Sequence, residues 1–355
     1  MCSILSVHPR FPCFKVLSTG RAPPLLHKKN EVARKFIHPS YRSFFSGNLL
    51  ITGEAANAFL AEIFLKDQMM DDEEYTYTRQ VQDLVKILNL TYRARVNQNH
   101  MLAKANVSLT SEFDDMQIPD NSIALHMIHG TIFADYDPWD FYFSTKKFVD
   151  DIRTADANPK IIGHLLHVNS GGGDAWYLDV AAEAVKNLTK PAIGLVESVA
   201  ASAGLYLIIN SNKIYATTGF DILGSIGTMT SFLDIIPYYE KLGAKFIEEY
   251  ADQSKRKNKK YNDLRKGKPD QFRKEVLNPL AEEFINTVKN ARPDIPDNDR
   301  GVFEGETFFT EDATSLGLID GRKTLEDVLS EIYNLSMSYG VPNKATQKAI
   351  LNLIS

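Results

Sequence analysis

The spacing of apolar and polar positions changes partway along the chain. Ala55 to Lys66 sets Ala58, Phe59, Ile63 and Phe64 near helical spacing, and Tyr75 to Asn89 sets Val81, Leu84, Val85 and Leu88 on one face. Both stretches predict amphipathic helices. Residues 90–117 are polar and poorly periodic. From Ile123 onward, shorter apolar runs predict strands at Ile123 to Ile132, Ile161 to Val168, Pro191 to Val196, Lys213 to Ala216 and Ala244 to Glu249. Helical patterns fall between and after them: Pro138 to about Thr154, Ala175 to Leu188, Leu205 to Ile209, Leu233 to Leu242 closed by Gly243, and Gln271 to Ala291 with a jog at Pro279. Thr310 is expected to cap a short helix that Gly317 ends. Leu318-Ile319-Asp320 then returns towards the sheet, and Leu325 to Leu335 is the last helix. Strands alternating with helices predict an α/β fold of βα units around an open, mainly parallel sheet.

Composition refines this picture. The 355 residues are 44% hydrophobic and 24% charged, enough for a sizeable core. Charge is unevenly placed. Residues 1–45 hold eight Lys or Arg against one acid, Glu31, a net +7 that leaves −12 on the remainder of a chain totalling −5. An acidic body argues against nucleic acid as its partner. The basic start, broken by Pro9, Pro12, Pro23, Pro24 and Pro39, reads as a disordered tail, with an organelle transit peptide as the alternative. Cys2 and Cys13 both lie in that tail, so the body has no disulfide framework and no cysteine-based zinc site. No run of 18 apolar residues marks a membrane-spanning helix, and no secretory signal core is present. The expectation is a soluble, cytoplasmic protein with residues 46–117 as a helical N-terminal segment, 118–335 as the main domain and 336–355 as a tail.

The candidate chemistry centres on Val199-Ala200-Ala201-Ser202-Ala203-Gly204-Leu205-Tyr206. A strand pattern leads in and a helix pattern leads out, so one hydroxyl is presented on a tight turn among small neighbours. Free amides at a helix start favour the negative charge that acyl transfer develops. Twenty-nine positions earlier, Asn169-Ser170-Gly171-Gly172-Gly173-Asp174 is a second strand-to-helix turn rich in uncovered amides. It can be read as a phosphate cradle, an oxyanion hole or a plain turn; neither Gly-x-Gly-x-x-Gly nor Gly-Lys-Ser/Thr is present. A parallel layout would bring the two turns together at adjacent strand ends, where the amides of Gly173 and Ala203 could face one oxygen. A serine nucleophile needs a base. No histidine follows Ser202, and His167 is a candidate ahead of it. The alternative is a lysine held uncharged by burial or by neighbouring cations, as the run Lys255-Arg256-Lys257-Asn258-Lys259-Lys260 could provide.

Taken in order, Gly130-Thr131-Ile132, Asn169-Ser170-Gly171-Gly172-Gly173, Ala200-Ala201-Ser202-Ala203-Gly204, Gly224-Ser225-Ile226-Gly227, Lys257-Asn258 and Ala313 to Asp320 resemble the signal peptide peptidase A family, the S49 serine peptidases. The resemblance covers about 123–335. It implies a ClpP/crotonase-like fold with a parallel sheet of ββα units and a Ser-Lys dyad. Ser202 would be the nucleophile, Lys257 the general base and Ser225 a third hydroxyl orienting the lysine. Gly173, Gly172 and Ala203 would form the oxyanion hole. It implies protein or peptide substrates, no cofactor and no metal, and assembly as a homo-oligomer. Gly171 stands where the family commonly has proline, and Ala203 where it has glycine. Tyr250 to Ser254, Asn278-Pro279 and Ala291-Arg292-Pro293 look like the soluble prophage-associated branch, which trims capsid or scaffold proteins. The rival readings are a peptidase degrading signal peptides, a crotonase acting on an acyl-CoA, and a binding module that kept the fold without the chemistry.

Overall fold

A computed structural model of the chain describes residues 49–51, 86, 107–136, 142–232, 234, 236–296 and 300–339. Two sheets organise it. The larger has strand order β11-β10-β8-β6-β3-β2, with β9 also on β8. Its strands are β2 (Ser108–Thr110), β3 (Ser122–His129), β6 (Ile161–Ser170), β8 (Ala192–Ala201), β9 (Lys213–Ala216), β10 (Ile222–Gly224) and β11 (Thr307–Phe309). All pair in parallel except β11 with β10. One edge of β8 serves two partners: β9 takes Ile193 to Val196, and β10 takes Val199 to Ala201. The smaller sheet runs β1-β7-β4-β5, made of β1 (Leu49–Ile51), β4 (Ile132–Phe133), β5 (Phe143–Ser144) and β7 (Gly172–Asp174).

Each long strand passes almost directly into a short strand of the second sheet, then into a helix: β3–β4 before α1 (Thr145–Ala157), and β6–β7 before α2 (Leu178–Lys186). This is the ββα repeat of a ClpP/crotonase-like α/β fold. β8 departs from it and leads through Ser202 into α3 (Ala203–Ile208) with no strand of the second sheet in between. The remaining helices are α4 (Ile236–Lys241), α5 (Lys259–Arg265), α6 (Asn278–Ala291), α7 (Thr310–Ser315) and α8 (Leu325–Ser338).

One face of the large sheet buries Ile128, Leu166, Val168, Val196 and Ala200 against α1, α2 and α3. The other face buries Leu125, Leu165, Ile193 and Leu195 against Val328, Leu329 and Ile332 of α8. Burial on both faces explains why β6 and β8 read as continuous apolar runs and do not alternate. α8 lies so close to β6 that a Cβ on Gly163 would sit 2.4 Å from Ile332 Cγ2. The jog expected at Pro279 is a π-helical turn, Arg273–Leu277, just ahead of it. Proline has no N–H to donate, and the extra residue absorbs the break.

Several boundaries differ from the sequence pattern. Ala244 to Glu249 forms no strand, because its apolar residues stay exposed and no strand among the described residues pairs with it. The helix expected from Pro138 begins at Thr145, capped by the Ser144 side chain, which accepts the Lys147 N–H at 3.2 Å; residues 137–141 lie outside the described ones. The glycine turn is largely a strand, β7. Thr310 is the first residue of its helix and not the cap: its hydroxyl donates to the Thr218 carbonyl at 2.6 Å, and Phe309 holds the cap position. The large sheet takes in Ser108 to Thr110, within the stretch read as aperiodic. The helices expected at 55–66 and 75–89 lie outside the described residues, apart from Lys86, which is helical.

Candidate active site

Ser202 stands where β8 becomes α3, with φ 54° and ψ −121°. A side-chain-bearing residue pays about 1–3 kcal/mol for such backbone, so the surroundings have to hold it. The Ser202 N–H donates to the Gly224 carbonyl at 2.9 Å, and its own carbonyl accepts the Tyr206 N–H at 2.9 Å. Ala201 and Ala203 on either side are buried, and Ser202 is 1% exposed. A Cβ on Gly204 would lie 2.9 Å from the Ser170 carbonyl oxygen. Glycine there lets the start of α3 touch the end of β6. Tyr206 packs on Phe284 of α6 and its hydroxyl is 3.2 Å from that of Thr287, tying α3 to α6. Among the described residues the Ser202 hydroxyl has no hydrogen-bond partner, which leaves it available.

The glycine strand β7 packs against α3, so the two turns singled out in the sequence do meet. The Ser170 hydroxyl donates to the Gly130 carbonyl at 2.6 Å and accepts the Gly172 N–H at 3.1 Å. Of the three candidate oxyanion donors, Gly172 therefore has its amide already committed. Gly173 sits mid-strand between β1 and β4, and a Cβ there would fall 2.0 Å from the Ile132 carbonyl oxygen. Only glycine fits.

Ser225 also comes to this corner. Gly224 is level with Ala201 across the β8–β10 pair, so Ser225 follows on the rung beside Ser202. Its φ is 54°, and its N–H donates to the Glu306 carbonyl at 2.7 Å. Gly224 is needed because a Cβ would lie 2.5 Å from that same carbonyl oxygen.

Lys257 is placed differently. It is exposed, follows the short 3-10 turn Asp252–Ser254 and precedes Asn258 at φ 57°. Among the described residues its side chain makes no hydrogen bond or ion pair, and none to Ser202. Within the basic run, Lys259 pairs with Asp263, and Lys260 lies 3.5 Å from Glu275. Lys255 and Lys257 are the lysines of the run without such an acidic partner among the described residues.

The strand histidines form two pairs on opposite faces of the large sheet. His126 Nε2 is 3.2 Å from His164 Nδ1, and His164 Nε2 is 3.4 Å from Asp156 Oδ1. Burial pushes both histidines below their usual pKa, and His126 packs closely on Phe113 and Phe148. On the other face, His129 Nε2 is 2.9 Å from His167 Nδ1, and His167 Nε2 is 3.2 Å from Glu197 Oε2. His167 thus has both ring nitrogens engaged away from Ser202, which removes it as the base. Glu197 and Asp221 were missed in the sequence. A short Thr217-Thr218 then Asp221 turn pattern was the available signal for Asp221; Glu197 had none.

Residues 184–337 match the family model described as Peptidase family S49. Over that stretch the chain is similar to the S49 peptidases. The chloroplastic serine protease SPPA of Arabidopsis thaliana is 29% identical over 181 residues, covering 49% of this chain and 26% of that protein. A putative protease of Methanocaldococcus jannaschii is 27% identical over 243 residues, covering 65% of this chain and 75% of its own. Protease 4 of Haemophilus influenzae is 25% identical, covering 59% of this chain and 35% of that one. The chain thus spans about a quarter of the Arabidopsis relative. Among solved structures, a variant of the 1510-N membrane-bound stomatin-specific protease is 15% identical, covers 60% of this chain and 86% of its own, and has a TM-score of 0.40. The matched stretch includes Ser202, Ser225 and Lys257; Gly172 and Gly173 lie ahead of it. No described helix is long and apolar enough to cross a membrane.

Proposed function

We propose that the chain is a serine endopeptidase in which Ser202 attacks a peptide carbonyl and Lys257 takes its proton. The Ser202 elbow carries this reading: a buried hydroxyl on a strained turn, free of other partners among the described residues, at the start of α3 and beside the glycine strand. The amides of Gly173 and Ala203 would receive the oxyanion, and Ser225, on the adjoining rung, would orient the lysine. Lys257 would then protonate the leaving amine, and water would release the acyl-enzyme.

A lysine acts as a base only when uncharged, and desolvation favours that form. Lys257 is exposed in the single chain, so it has to be covered before it can act. The segment 236–270 that carries it contains no buried residue, yet it presents Tyr238, Leu242, Phe246 and Ile247 to solvent. A second copy of the chain is the proposed cover, which makes the working form a homo-oligomer. The prophage-type resemblance supports capsid or scaffold proteins as substrates.

The exposure of Lys257 is also the observation that favours a second reading, a binding module without turnover. A fluorophosphonate probe applied to the assembled protein separates the two. Labelling lost in Ser202→Ala is the expected result; an assembled wild type that takes no probe would overturn the peptidase.

A further inference from the structure

β8 does not run straight into the elbow. Val196 is level with Val168 of β6, but the next shared rung joins Ala200 to Ser170. Two extra residues are therefore accommodated in β8 around Glu197, Ser198 and Val199. Ser198 has φ 76°, a left-handed conformation that costs a residue bearing a Cβ about 1–2 kcal/mol. A bulge of this kind re-aims the residues beyond it, and here Ser202 lies four positions further on.

Two carboxylates hold the bulge, one on each flank. Asp221 accepts the Ser198 N–H at 3.1 Å and the Thr217 and Thr218 N–H groups at 2.8 Å each. On the opposite flank Glu197 meets His167, which meets His129, so the bulge is tied across β6 to β3. His167 Nε2 faces Glu197 Oε2 and its Nδ1 faces His129 Nε2, so the three side chains form one continuous row. Burial first, and the neighbouring His167 second, hold His129 down at about 4, which keeps it neutral. Glu197 is 58% exposed, so burial does not force it into place. None of these residues touches the hydroxyl or the candidate oxyanion donors.

We infer that the row His129–His167–Glu197 is a positioning device for Ser202, clamping the β8 bulge from the face of the sheet opposite the nucleophile. This rests on Ser202 being the nucleophile. The clamp keeps the hydroxyl aimed between the Gly173 and Ala203 amides, and displacement by about 1 Å in such a site costs about 100-fold in rate.

The test uses the full chain with Glu197→Ala, Glu197→Gln and His167→Gln. It compares the rate of fluorophosphonate labelling, kcat and KM on a peptide substrate, melting temperature, and deuterium exchange over residues 196–206. Glu197→Ala should label about 10- to 100-fold more slowly, with kcat lowered, KM held, melting temperature little changed and faster exchange at the elbow. Glu197→Gln retains an acceptor for His167 and should stay within about threefold of wild type. His167→Gln should reproduce the exchange change even if it costs stability. Wild-type labelling and wild-type exchange in Glu197→Ala would overturn the clamp and leave the nucleophile standing. Equal loss in Glu197→Gln would also overturn it, since charge and not the hydrogen bond would then matter. A wild type that takes no probe would overturn the nucleophile, and the clamp with it.

Discussion

Ser202 is 1% exposed on a turn held by β10, by α3 and by the close approach of β6, whereas Lys257 lies on a segment, 236–270, in which nothing is buried. The two proposed partners in one reaction are thus built by different means. The elbow is over-determined by the chain's own packing, and its strain is balanced by backbone hydrogen bonds. The arm has aromatic and aliphatic residues in solvent, Ile247 at 77% exposure among them, and is held by surface contacts such as Arg265 with Asp234. On the proposed mechanism a single chain would complete the nucleophile, and the base would await a surface from outside.

The sharpest way to break this contrast is at the lysines. Lys257→Ala should lower kcat about 1,000-fold or more, while Lys255→Ala should stay within about threefold, read by steady-state hydrolysis. The reverse outcome would move the base along the run. Next, Phe246→Asp with Ile247→Asp should shift the assembly to smaller species in sedimentation and lower turnover about 10-fold or more, with the melting temperature of the core unchanged. Turnover intact in a monomer would show that the arm needs no cover.

A glycine pair sharpens the contrast by stability. Gly173→Ala puts a Cβ 2.0 Å from the Ile132 carbonyl oxygen and should cost about 3 kcal/mol in denaturant unfolding. Gly243→Ala, at φ 88° with nothing within 4 Å, should cost about 1 kcal/mol and only in the arm.

The smallest effect expected is with pH. His126 and His164 are buried and His129 is half-buried, all with lowered pKa values, His129 near 4. The unfolded chain binds those protons at about 6.5, so the folded state binds fewer below that pH. Their contribution to stability is therefore full above about 6.5 and is lost as pH falls below it, for His129 through about 4. Thermal melts should show a lower midpoint at pH 5 than at pH 7.5. Asp156, lowered to about 2, acts in a different window, below its unfolded value near 3.8. An unchanged midpoint between pH 7.5 and 5 would mean these histidines are not held neutral by the fold.

Much of this was legible in the chain. Lys213–Ala216 is a strand as its pattern indicates, and β6 and β8 begin within a residue of the expected starts. The small residues around Ser202 announced a close approach, and Gly204 against Ser170 is that approach. The second sheet was not legible, because β4, β5 and β7 have two or three residues each, too few to show alternation. The strand expected at Ala244 to Glu249 failed for the converse reason: it has the pattern of a half-buried strand but no neighbour among the described residues to pair with. The role of His167 was open until its two ring nitrogens were seen to face His129 and Glu197.

By itself the sequence determined what local chemistry can determine: apolar runs that must be buried, glycines where no Cβ fits, and a lone hydroxyl among small neighbours. The tertiary structure decided which of those features share a place. β7 reaches α3, Ser225 reaches the rung of Ser202, and two carboxylates far from each other in sequence close on one bulge. Register across a sheet and the packing of a helix start depend on contacts distant in the chain, and no periodicity within a single stretch encodes them.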